Sequence, residues 1–167
     1  MALLLVNCKN GGVEKIWKEK VKKGDYYFTN NNIDMAINCW IESLQFKKDL
    51  TTYEKIIASL IIKKNFEEAK KYTIEGLTYF ENNDNLLFNL GLVSFYLEDY
   101  ELSLKTLEKL IRKNRYYPNT HLIRGIIYEK KGEKEKAKKE FIEELNINPA
   151  SRKAWAKIKE MENGKEN

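Results

Sequence analysis

Side chains able to do chemistry are scarce in these 167 residues: there is one histidine, His121, and there are two cysteines, Cys8 and Cys39. A histidine serves as a metal ligand only with further His, Cys or carboxylate donors at ligand spacing, and His121 has none. It reads as a packed or partly exposed ring facing a helical hairpin. The two cysteines make neither a disulfide framework nor a zinc spacing, and Cys39, inside an apolar helical run, reads as a small core residue. The paired carboxylates Glu143 and Glu144 lie in the charge-mixed stretch "KEKAKKEFIEEL" and read as solvated. A glycine-rich phosphate loop, a G-x-S-x-G elbow and an H-E-x-x-H pair do not occur. The pattern argues against an enzyme and implies no cofactor and no metal.

Cys8 raises a different chemistry. "ALLLVNC" (2–8) sets a leucine three positions before a cysteine, the order that ends a bacterial lipoprotein signal. The basic start and the longer apolar core of such a signal are missing. Two readings stay open. One is a frayed apolar N-terminus on a cytoplasmic protein. The other is lipidation at Cys8 in the bacterial envelope, with an accessory role in outer-membrane or pilus assembly. No other segment approaches the ~18 apolar residues of a membrane span.

Apolar residues make up 43% of the chain, enough for a core, and charged residues 33%. The formal charge of +5 comes from 30 basic against 25 acidic residues. They are interleaved, as in "YEKKGEKEKAKKEFIEE" (128–144), which is the composition of a solvated helix face. The nearest approach to a basic stripe is "KIWKEKVKK" (15–23), which contains Glu19. Base-stacking aromatics on a basic face are not evident, so a nucleic-acid partner is not expected and an RNA-binding helical repeat ranks last.

The elements that would position any site are set by a period. Gly24, Gly91 and Gly125 are each followed twelve residues later by a small residue (Ala36, Ser103, Ala137) and four further by a large one (Trp40, Leu107, Phe141). Ala69 keeps the same step with Ile57 in the place of the glycine. Four copies follow: 17–49, 50–83, 84–117 and 118–151. Each reads as two helices, the first with apolar residues at i, i+3, i+4 and i+7, separated by the short polar turns "TNNN", "KKN", "LED" and "KKG". Asn32 and Asp99 stand where N-caps belong, and Pro118 and Pro149 punctuate the fourth copy. A mid-helix glycine costs about 1 kcal/mol against alanine. A close crossing of two helices would offset that cost, with the larger residue four positions on filling the gap to the next unit.

This pattern resembles the tetratricopeptide repeat (TPR), whose 34-residue unit carries a small residue at its eighth position, an aromatic at the eleventh, alanine at the twentieth, a large residue at the twenty-fourth and proline at the thirty-second. Copy four matches with Gly125, Tyr128, Ala137, Phe141 and Pro149, and copy one with Gly24, Tyr27, Ala36 and Trp40. Copy one departs at Lys20 and Lys23, where large apolar residues are usual. "RKAWAKIKEMEN" (152–163) starts like a fifth unit and stops, as a capping helix does. The resemblance implies an all-α fold, a right-handed α-solenoid of four TPR helix pairs plus a C-terminal capping helix. The domain would span 14–163, after an apolar, flexible segment 1–13 and before a disordered tail 164–167.

Copy three holds an excess. "DNLLFNLGLVSFYLED" (84–99) is apolar nearly all round, and Phe88, Leu92, Phe95 and Tyr96 form one stripe beyond what packing within the array requires. In TPR arrays first helices line the concave surface. Equivalent residues are Val21 and Phe28 in copy one, Ala58, Ile61 and Ile62 in copy two, and Leu122 and Ile126 in copy four. A groove taking an apolar or amphipathic peptide segment of a protein partner is therefore expected, a binding scaffold and not a catalyst. Cover by the C-terminal helix or by "MALLLV" is the competing expectation. TPRs that clamp acidic chaperone tails carry Lys and Asn where this chain has Val21 and Asp25, so that activity is not expected.

Overall fold

The computed structural model describes the backbone of residues 2–163 and the side chains of residues 11–163; the tail 164–167 and the side chain of Cys8 lie outside the described residues. Nine helices and no strand occur among the described residues: α1 (Ala2–Thr29), α2 (Ile33–Ser43), α3 (Leu50–Ile62), α4 (Phe66–Tyr79), α5 (Asp84–Tyr96), α6 (Tyr100–Lys113), α7 (Thr120–Lys130), α8 (Lys134–Ile147) and α9 (Arg152–Asn163). The fold is all-α. The chain divides after Glu81 into two compact units. In the first, α1 pairs with α2 and α3 with α4, and α2 stacks on α3. In the second, α5 pairs with α6 and α7 with α8; α7 rests on both α5 and α6, and α9 caps α8. The helix of the first copy extends back through residues 2–13 without a break.

The turns inside the hairpins share one backbone device. Asn31, Lys64, Glu98 and Gly132 all have positive φ, at intervals of 33 and 34 residues. At Glu98 (φ 61), the backbone N–H reaches the carbonyl of Phe95 (3.1 Å), and the N–H of Asp99 reaches that of Ser94 (2.9 Å). This is the Schellman ending of a helix, which satisfies free carbonyls through a left-handed residue. Glycine enters that conformation without steric cost and supplies it at Gly132, but lysine and glutamate must be forced into it. The residue that follows begins the next helix: Asp99 accepts from the Leu102 N–H (3.2 Å) and Asn32 from that of Met35 (3.2 Å).

The mid-helix glycines have a direct cause. A Cβ built on Gly24 would lie 2.4 Å from Trp40 Cδ1, one on Gly91 2.4 Å from Leu107 Cδ2, and one on Gly125 2.5 Å from Phe141 Cε1. The large residue of the second helix therefore lies on the glycine of its own hairpin. Leu107 also packs with Ile123 and Ile127 of the next hairpin, with Phe88, Leu92, Phe95, Tyr100 and Leu104 around them. It fills the junction as expected, and it fills the crossing as well. In the hairpin without glycine the same two register positions hold Ile57 and Thr73, both fully buried, so a larger residue on one helix is matched by a smaller one on the other. Ser103, at the small position, donates to the carbonyl of Gly91 (2.7 Å) and ties α6 to α5 at that crossing.

Leu107→Ala should cost about 2–5 kcal/mol in a urea melt, because it empties both the crossing and the junction. Phe95→Ala, at the half-buried rim of the same cluster, should cost less, about 1–2 kcal/mol. Equal losses would place Phe95 in the core.

Candidate functional site

The first helices carry the residues expected to line a groove, and their surroundings differ between the two units. In the first unit Phe28 is 43% exposed and Ile62 63% exposed, Ala58 is open to solvent, and Val21 and Ile61 are half-buried. The Phe28 ring leans on Trp40, with 5.7 Å between centroids. Asp25 joins α1 to α3 on this side: it accepts from Trp40 Nε1 (3.0 Å) and from Lys55 Nζ (2.6 Å), and Lys55 lies 5.7 Å over the Trp40 ring. The sequence marked Asp25 only as a departure from the chaperone-tail clamp. Here it holds two first helices together.

In the second unit Phe88, Leu92 and Phe95 are half-buried against the Leu107–Ile123–Ile127 cluster. Phe88 also meets Tyr117 (5.1 Å between centroids) and Phe95 meets Tyr100 (6.3 Å). The stripe is thus partly committed to packing between hairpins. Tyr96 at its end remains 48% exposed. Leu122 is only 6% exposed, inside a cluster with Ala137, Phe141, Ala154 and Ile158, and Ile126 packs against that cluster. The expectation of a groove-lining Leu122 is corrected: Ala154 and Ile158 come from α9, so the capping helix covers this position. Beyond Ile126 the face turns polar, with Lys157 of α9 on Glu129 (3.1 Å).

Charge chemistry concentrates at the α7–α8 hairpin. Glu140 accepts from His121 Nδ1 (2.7 Å) and pairs with Arg124 Nη2 (2.8 Å), with all three side chains largely buried. Burial by itself would push the Glu140 carboxyl up, but the His121 hydrogen bond and the Arg124 charge outweigh it and hold it below the usual carboxylate range. Glu144 was expected in solvent and is instead fully buried. Asn119, at the N-cap of α7, is left-handed and makes no side-chain cap bond. Glu144 takes over that task from α8, accepting the N–H of Asn119 (3.1 Å) and of Leu122 (3.2 Å). Burial pushes its carboxyl up, against the pull of those two backbone bonds. Its partner in the expected solvated pair, Glu143, stays partly exposed. Among the described residues no group of three or more His, Cys, Asp or Glu is placed to hold a metal ion.

These two carboxylates respond to pH with opposite signs. Glu140, depressed in the fold, lends stability that is present above its ordinary value of 4.5 and lost as pH falls through its folded value. Glu144, raised in the fold, costs stability as pH climbs from 4.5 through its folded value. Glu140→Gln should therefore destabilise by about 1–3 kcal/mol near about pH 7 and by clearly less near about pH 3 in paired urea melts. A cost independent of pH would contradict this assignment.

Comparison with known proteins agrees with the geometry. Residues 84–115 and 118–151 match the tetratricopeptide repeat family model. Among curated proteins none matches the chain. Solved structures similar to it include MamA from Desulfovibrio magneticus (TM-score 0.80, 16% identity, covering 90% of this chain and 85% of that one). A second is YrrB, described as a TPR protein with an unusual peptide-binding site (TM-score 0.70, 20% identity, 89% and 77% covered). A third is a tetratricopeptide repeat protein from Parabacteroides merdae (TM-score 0.77, 16% identity, 90% and 61% covered). At these identities the structures show the fold alone. The family match covers the third and fourth helix pairs, and the 33- and 34-residue period carries the same paired-helix architecture, similar to that of tetratricopeptide-repeat structures, through the rest of the described residues.

Proposed function

We propose that this scaffold takes an apolar or amphipathic peptide segment of a partner protein along its first-helix faces. One observation carries the reading. The pair Ile61–Ile62 near the end of α3 recurs 34 residues later as Phe95–Tyr96 at the end of α5, and in each pair the first residue is half-buried while the second is exposed. Each unit therefore offers an equivalent apolar step, half seated in the fold and half open. Such residues anchor peptides at little conformational cost, because their neighbours already hold them. The peptide-binding description of YrrB supports the same class of ligand. Residence in the cytoplasm accompanies this reading. An acylated Cys8 as the mature N-terminus, found by mass spectrometry of protein from the source cell, would replace it with an envelope lipoprotein.

A photo-crosslinking residue placed in turn at Ile62 and Tyr96, and at the exposed second-helix residues Ile74 and Ile142, tests the proposal in living cells. Adducts with a discrete partner should form from the first two positions and not from the last two. Tyr96→Ala should change stability by only about 0.5 kcal/mol. Equal yields from all positions, or adducts only at Ile74 and Ile142, would contradict the reading.

A further inference from the structure

The fourth hairpin breaks a pairing that the first two share. On the second helices Glu42, Glu75, Lys109 and Glu143 recur at the 33- and 34-residue step of the repeat, and on the first helices Lys20, Tyr53, Leu87 and His121 do the same. Glu42 accepts from Lys20 Nζ (2.5 Å) and Glu75 from the Tyr53 hydroxyl (2.6 Å), so each carboxylate ties its own hairpin. His121 turns instead to Glu140, one turn earlier on α8, and Glu140 also takes Arg124. The half-buried Glu143 side chain is left without a hydrogen bond or ion pair among the described residues.

Glu143 lines a cleft of about 370 Å³ between the end of α6 and α8. Ile111 and Ile147, both half-buried, and the ring of Tyr116 give the cleft apolar walls. Arg115 and Lys139 line it as well, and their side chains likewise make no hydrogen bond or ion pair among the described residues. Lys139 and Glu143 are four apart on α8 and so share a face, but an exposed pair of that kind is weak in water and gives way readily to a guest. The positive charge of Arg124 is already met by Glu140.

The cleft thus offers two cations and one carboxylate, none engaged within the fold, beside an apolar wall. A simple anion would meet Glu143, and a simple cation would meet Arg115 and Lys139. A molecule carrying an ammonium and a carboxylate on one carbon satisfies both signs, and the wall suits an apolar side chain. We propose that this cleft binds a free α-amino acid with an apolar side chain, its ammonium on Glu143 and its carboxylate on Arg115 and Lys139. The site shares no residue with the apolar steps Ile61–Ile62 and Phe95–Tyr96.

The test is calorimetric titration of the full chain with L-leucine, L-methionine and L-phenylalanine in turn. At least one should bind with a Kd below about 1 mM. The N-acetyl and methyl ester forms of that amino acid each lack one charge and should bind about tenfold more weakly or worse. Glu143→Gln, and separately Arg115→Gln with Lys139→Gln, should each weaken binding about tenfold, with the thermal melt unchanged because these side chains hold no partner in the fold. The proposal is overturned if none of the three amino acids binds, if the acetyl or ester form keeps the affinity, or if either variant does. A lowered melting temperature in Glu143→Gln would show that Glu143 serves the fold, and would overturn it too.

Discussion

In three of the four hairpins a large side chain occupies the space where a glycine lacks a Cβ. Trp40 on Gly24, Leu107 on Gly91 and Phe141 on Gly125 sit so close that a Cβ on the glycine would collide with them. The glycine costs about 1 kcal/mol of helix propensity, and burial of the large apolar side chain returns about 1.5–3 kcal/mol. The contact also fixes which way each first helix faces. With one side pressed on its partner, the next residues around the helix meet the neighbouring hairpin, as Phe88, Leu92 and Phe95 do around Leu107. Ile62 and Tyr96, further round their helices, remain exposed.

The spacing of small and large residues was legible because it is a packing constraint, and packing repeats when the unit repeats. What the spacing did not convey was direction. Leu107 was expected to serve the junction with the next copy, and the structure adds its seat on Gly91, a contact between residues sixteen apart that periodicity alone cannot rank above others. The exchange of Gly and a large residue for Ile57 and Thr73 was visible in the sequence, yet its sense required the first contact to be known. The left-handed residues at Lys64 and Glu98 carried no signal, whereas Gly132 and Asn31 have residue types that favour such a turn.

The surface was harder to read than the core. Glu144 sits in a run of alternating charges whose ordinary fate is solvent, and its burial follows from a different element, the N-cap of α7 left open by the left-handed Asn119. Leu122 has the register of a groove residue, but α9 arrives on it because the capping helix must cover the last exposed apolar layer. In both cases a long-range neighbour decided the environment. At the apolar steps Ile61–Ile62 and Phe95–Tyr96 the second residues stay largely exposed.

The exchange between the two register positions is the most direct test of the account. A double-mutant cycle on Gly91→Ile and Leu107→Thr would rebuild in the third hairpin the pair that the second hairpin already uses, with stability read by urea melts. Each single change should destabilise by about 2 kcal/mol or more, one by collision and the other by leaving a cavity. The double variant should lose at least about 1 kcal/mol less than the sum of the two. Strictly additive losses would contradict the claim that these two positions share one space.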